Sequence, residues 1–142
     1  YTLDPKSHLL PIIVDKALKG EQFTINGDDY DTSDGTCERD YTHVADIASA
    51  HVSALNYLFD GGAGGVFNIG GGSSRSIKDV IAEVEKQLDL TIDTEVGPRR
   101  EGDADKTSAN IQKAWEEFGW EANFGLEDIV RDEIAYQKSL QK

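Results

Sequence analysis

The sequence predicts an α/β fold, a mixed α+β arrangement of four or five helices and short strands. Three observations predict it. Apolar residues recur at helical spacing in several stretches, short alternating or apolar runs lie between them, and clusters of Gly, Asp and Ser separate the two.

Ser7 to Lys19 predicts the first helix. Ser7 can cap it, and Pro11 falls in the first turn, where a missing N–H costs little. Leu9, Leu10, Ile13, Ala17 and Leu18 form its apolar stripe, and Gly20 ends it. Gln22–Asn26 predicts a short strand. The run 27–35 is dense in turn formers, and Thr36–Val44 reads as extended. Asp46 is placed to cap a helix ending near Phe59, with Ile47, Val52, Leu55 and Phe59 on one side. The glycines of 61–65 turn the chain into a predicted buried strand, Val66–Ile69. Gly70–Gly72 follow, and Ser76 caps a helix carrying Ile77, Val80, Ile81, Val84 and Leu88. Leu90–Val96 alternates as a strand does. Gly97–Asp105 is a charged loop. Helices near Asn110–Phe118 and Leu126–Leu140 complete the chain.

The 142 residues fit one domain or a piece of a larger protein. Tyr1–Pro5 reads like the middle of a longer chain, and the sequence contains no Met. With 38% apolar and 29% charged residues the composition is globular and not disordered. No window is apolar enough for a membrane span, and no signal peptide is visible. The single cysteine, Cys37, reads as a small, partly buried filler, which fits a reducing, cytoplasmic compartment.

The net charge of −13 argues against nucleic acid or an anionic membrane as partner. It also makes the five arginines informative: Arg39, Arg75, Arg99, Arg100 and Arg131. An acidic protein that binds an anion must concentrate cations locally. Arg39 and the Arg99–Arg100 pair lie in non-helical, Gly-bearing segments, whereas Arg131 reads as a solvated helix charge.

Several chemistries lack their motif. The glycines never adopt the G-x-G-x-x-G spacing that lets backbone amides face a dinucleotide pyrophosphate. No tyrosine has a lysine four residues later, so no Tyr-x-x-x-Lys proton-transfer pair exists. There is no nucleophile elbow and no P-loop. His8, His43 and His51 lack metal-ligand spacing. Two charged segments remain, 28–44 and 97–103. A guanidinium binds a diphosphate through paired N–H groups, so arginines from two segments can clamp one. Asp103 can accept hydrogen bonds from a ribose or sugar hydroxyl. The same residues also read as salt-bridged loop ends.

The segments Ser-His-Leu-Leu-Pro (7–11), Gly-Asp-Asp-Tyr-Asp-Thr-Ser-Asp-Gly-Thr-Cys-Glu-Arg-Asp-Tyr-Thr-His-Val (27–44) and Asp-Ile-Ala-Ser-Ala-His-Val (46–52) carry a resemblance. Phe-Asn-Ile-Gly (67–70) and Pro-Arg-Arg-Glu-Gly-Asp (98–103) continue it in the same order. Together they resemble the UDP-glucose 4-epimerase family of extended short-chain dehydrogenases, from about residue 5 to the end. The resemblance implies that residues 1–142 are the C-terminal, UDP-sugar-binding portion of the fold, without its N-terminal Rossmann domain. That domain would bind NAD and carry the catalytic groups, leaving no catalytic or cofactor-binding residue on this chain. The implied whole enzyme inverts C4 of a UDP-hexose through an NAD-dependent 4-keto intermediate.

By the same resemblance, Arg39 and Arg100 match the two diphosphate-binding arginines, and Asp103 the ribose-binding acid. His8 and Leu9 match nucleotide contacts at a helix start, and Thr24 and Asn26 a strand that faces uracil. The chain departs from the family pattern at Asn26, Glu38 and Thr107, where aromatic, apolar and tyrosine residues respectively occur. Implied partners are UDP-glucose or UDP-galactose and the NAD-binding domain. Without that domain, helix 46–59 and strand 66–69 are expected to expose apolar faces and to promote self-association. The alternative is a free-standing, non-catalytic module that binds nucleotide-sugars or a protein partner.

Overall fold

The computed structural model describes residues 8–140. Helix α1 (Leu9–Lys19) starts from His8 in an extended conformation, and the predicted cap, Ser7, lies outside the described residues. Gly20 ends α1 in the left-handed region (φ 68°) and donates to the Ala17 carbonyl. Strand β1 (Phe23–Asn26) follows, then the turn-rich loop, then β2 (Glu38–Asp40).

Helix α2 (Val44–Phe59) corrects the expected cap. His43 caps it, its Nδ1 accepting from the Ala45 N–H at 3.0 Å. Asp46 lies inside the helix, only 1% exposed, and accepts from the Asn123 and Phe124 amides at 3.0 and 3.1 Å. A carboxylate committed to amides 77 and 78 residues away is not available to its own helix start. The expected extension to Val44 is cut short by this early helix.

The predicted strand Val66–Ile69 does not form among the described residues. No backbone among the described residues pairs with it, and Val66 is 85% exposed. A strand exists only with a ladder partner. The next strand is β3 (Ser74–Ser76), antiparallel to β2.

Helix α3 (Ile77–Leu88) has the cap expected of it. Ser76 Oγ accepts from the Asp79 amide at 3.0 Å, and the Asp79 carboxylate accepts from the Ser76 amide at 3.1 Å. Strand β4 begins later than expected, at Thr94, and runs to Gly97. It pairs in parallel with the four residues of β1, from Phe23 opposite Thr94 to Asn26 opposite Gly97. Helix α4 (Gln112–Phe118) starts two residues late because the Asn110 side chain accepts from the Gln112 amide at 2.9 Å. Helix α5 (Leu126–Leu140) closes the fold.

Helices α1, α3 and α5 pack on one another and on β1. Ile13, Val14, Val80, Val84 and Val130 are completely buried at their centre. Cys37 is buried in the same core as a free thiol, as expected. A smaller cluster of Ala50, Ala114 and Trp120 joins α2 to α4. The opposite side of α2 is bare: Val44, Ile47, Val52, Leu55, Leu58 and Phe59 are all exposed.

Candidate functional site

Strand β2 positions the site. On one side it pairs with β3. On the other, the Glu38 amide donates to the Asp105 carbonyl at 2.8 Å and the Thr107 amide donates to the Glu38 carbonyl at 3.1 Å. The charged loop after β4 is therefore stitched to the strand that carries Arg39. Asp40 anchors two more segments, accepting from the Gly71 amide at 2.7 Å and the Ala109 amide at 2.9 Å. A side chain at Gly70 would run into this carboxylate, and one at Gly71 into the Tyr41 carbonyl. Gly70 and Gly71 are thus closely packed against an acid. A carboxylate in that position repels a pyrophosphate, so these glycines do not fit a dinucleotide cradle.

Arg39 and Asp103 come together. Arg39 Nη2 donates to Asp103 Oδ1 at 3.2 Å, and Nη1 donates to the Ala104 and Glu38 carbonyls, each at 2.8 Å. Both side chains stay partly open to solvent, at 27% and 30% exposure. Arg100 joins them through a turn in which the Asp103 amide donates to the Arg100 carbonyl at 3.2 Å, with Gly102 at φ 82°. Its guanidinium is exposed and forms no ion pair with a described residue.

The adjacent Arg99 is spent differently. It bonds Asp29 Oδ1 at 2.6 Å and the Asp29 carbonyl, lies 4.1 Å above the Tyr30 ring centre, and stands 3.7 Å from Asp105. Its hydrogen bond holds the Asp29 carboxyl below its ordinary range. Arg99 pins the 27–35 loop, and of the two neighbours Arg100 is the one left available.

Thr24 and Asn26 lie on β1, beside β4. Thr24 Oγ1 donates to Glu95 Oε1 at 2.8 Å, and Asn26 is exposed opposite Gly97, three residues before Arg100. His8 and Leu9 open α1, with His8 exposed and Leu9 packed against the core. No hydrogen bond among the described residues ties either of them to Arg39, Asp103 or Arg100.

The departure at Glu38 is accommodated. Its carboxylate pairs with Lys106 Nζ at 2.8 Å and accepts from Ser74 Oγ at 2.6 Å. Lys106, then Ser74, hold its carboxyl below the ordinary value. Thr107, also exposed, is tied to Glu38 through its backbone. Sequence reasoning missed the anchoring acids Asp34 and Asp40, and it gave Asp46 the role of a cap. Asp34 accepts from Thr36 and from Ser76 Oγ, joining the turn-rich loop to α3. Nothing local distinguishes these aspartates from the other acids of the same segments. Among the described residues there is no metal-ligand group and no helix long and apolar enough to cross a membrane.

This arrangement is that of an extended short-chain dehydrogenase/epimerase fold in part. A model of the NAD dependent epimerase/dehydratase family matches residues 2–70. The UDP-glucose 4-epimerase of Rhizobium meliloti is 41% identical over 128 residues, covering 89% of this chain and 39% of that protein. The UDP-glucose 4-epimerase of Halalkalibacterium halodurans is 43% identical over 128 residues, covering 89% of this chain and 38% of that protein. The crystal structure of UDP-glucose 4-epimerase from Stenotrophomonas maltophila, with bound NAD and formylated UDP-arabinopyranose, superposes with a TM-score of 0.94. It is 35% identical, and the match covers 99% of this chain and 42% of that one. The Bifidobacterium longum enzyme in complex with NAD+ and UDP gives a TM-score of 0.84 at 34% identity, over 93% of this chain and 39% of that one.

The chain is a homologue of the UDP-glucose 4-epimerases. It spans about two-fifths of the length of the curated relatives it matches.

Proposed function

We propose that this chain is the substrate-binding portion of a UDP-glucose/UDP-galactose 4-epimerase and holds a UDP diphosphate between Arg39 and Arg100. Asp103 accepts from a ribose hydroxyl beside them. Thr24 and Asn26 lie along the uracil, and His8 and Leu9 meet the nucleotide from the start of α1. The observation that carries this reading is the contrast between Arg99 and Arg100. In a chain of net charge −13, Arg100 remains exposed without a carboxylate partner among the described residues, while its neighbour is fully paired. Leaving one guanidinium open beside a second, pre-oriented one makes a bidentate anion clamp.

The complete enzyme inverts C4 of the hexose with NAD. These residues carry neither the G-x-G-x-x-G spacing nor a Tyr-x-x-x-Lys pair, so the chain by itself is expected not to turn over UDP-galactose. Its buried free thiol fits a reducing, cytoplasmic setting.

Calorimetric titration with UDP and with uridine tests the clamp. UDP is expected to bind at least about tenfold more tightly, since the difference is the charge-assisted bonds to the diphosphate. Equal affinity for the two contradicts the reading, as does conversion of UDP-galactose by this chain with added NAD.

A further inference from the structure

The five arginines share the chain with 27 acidic residues, so a carboxylate is rarely far away. Arg99 and Arg131 are each paired twice, Arg99 with Asp29 and Asp105 and Arg131 with Asp128 and Asp132. Arg39 holds Asp103. Arg75 and Arg100 pair with no acid among the described residues. The diphosphate clamp accounts for Arg100. Arg75 requires a reason of its own.

Arg75 is the middle residue of β3 and lies directly opposite Arg39 in the antiparallel register. Residues directly opposite in such a pair project from the same face, and like charges in that relation destabilise the pairing. Arg75 also rims a cleft with Asp79, Glu83, Lys86, Glu127 and Asp128, and none of these acids forms an ion pair with it. Asp79 closes the capping box of α3, Glu83 meets Lys86 and Gln87, and Asp128 binds Arg131 and the Gly125 amide. Two guanidinium groups on one face, one of them without an ion pair among the described residues, favour a ligand that supplies more than one negative charge.

We propose that Arg75 is a third cation of the anion site, adding to Arg39 and Arg100 in holding a nucleoside diphosphate ester. The inference rests on the clamp proposed above and assigns it a further residue that sets affinity for the diphosphate.

The test uses the full chain, UDP as the probe and uridine as the uncharged comparison. Binding is followed by amide shifts in Arg75→Gln, Arg75→Lys, Arg39→Gln and Arg131→Gln variants. Arg131→Gln removes the same unit of charge from a paired helix residue. Arg75→Gln is expected to weaken UDP about five- to tenfold. Arg75→Lys should restore most of that loss, Arg131→Gln should stay within about twofold, and uridine should be indifferent. If Arg39→Gln abolishes UDP binding while Arg75→Gln leaves it unchanged, Arg75 is a plain surface charge and the clamp stands without it. Equal losses in Arg75→Gln and Arg131→Gln assign the effect to net charge and overturn the inference. UDP binding that is absent, or indifferent to Arg39→Gln, overturns both the inference and the clamp.

Discussion

Arg39 donates to Asp103 at 3.2 Å across 64 residues of sequence, and with its bond to the Ala104 carbonyl it ties the 97–107 loop to β2. The contact orients the guanidinium and holds the acid beside Arg100. Lysine in place of Arg39 keeps the charge and loses the planar fork. Arg39→Lys is therefore expected to cost about tenfold in UDP affinity, the scale of a charge-assisted hydrogen bond. It should also speed hydrogen exchange at the amides of residues 103–107. Unchanged exchange in that loop would mean that the Arg39–Asp103 contact does not order it.

Asp34 links stability to acid. Burial pushes its carboxyl up, and hydrogen bonds from Ser76 and Thr36 more than offset this, so it rests below the ordinary aspartate value. As pH falls, the unfolded chain takes up this proton first, near pH 4. The contribution is present above that pH and is lost as pH falls through the lower folded value. Asp34→Asn is expected to cost about 1–3 kcal/mol at neutral pH and to flatten the decline in urea stability below pH 4. An unchanged acid limb would remove Asp34 from this role.

His43 joins two helices. Its Nδ1 accepts from the Ala45 amide, so the neutral ring carries its proton on Nε2 and donates to Asp132 Oδ2 of α5 at 3.0 Å. The ring packs 4.6 Å from Phe124. His43→Ala should cost about 1–2 kcal/mol through the lost cap alone. His43→Asn should recover part of that, because an amide oxygen can still cap α2. Denaturant midpoints that rank the two variants equally would show that the cap contributes nothing.

The bare side of α2 makes a prediction about association. Phe59 is 78% exposed and Val52 59%, on a helix whose other side packs on α4. Patches of this kind associate in water. Sedimentation of the chain at rising concentration should show self-association, and a Phe59→Glu, Val52→Glu double variant should sediment as a slower species. A concentration-independent monomer in both would contradict this.

How much of this was legible in the sequence depends on how local each signal is. The cap of α3 was legible because Ser76 and Asp79 are three residues apart. The start of α2 was misplaced because Asp46 reads as a cap until Asn123 and Phe124 are seen to claim it. Val66–Ile69 has the composition of a strand, but a ladder needs a second chain segment. At the site, Arg39 and Asp103 are in side-chain contact, and Arg100 is linked to Asp103 through the backbone of a turn. The division between Arg99 and Arg100 was not legible, since it is decided by Asp29, 70 residues away. Arg75 has no assigned role in the sequence, because only the register of β2 and β3 places it opposite Arg39.

A UDP diphosphate held between Arg39 and Arg100 has a direct signature in solution. Titrating UDP into the isotope-labelled chain and following amide and guanidinium resonances tests it most directly. Saturable shifts are expected, concentrated at Arg39, Arg100 and Asp103, with smaller ones at Thr24 and Asn26. No saturable shifts, or shifts centred elsewhere with Arg39 and Arg100 unmoved, would contradict it.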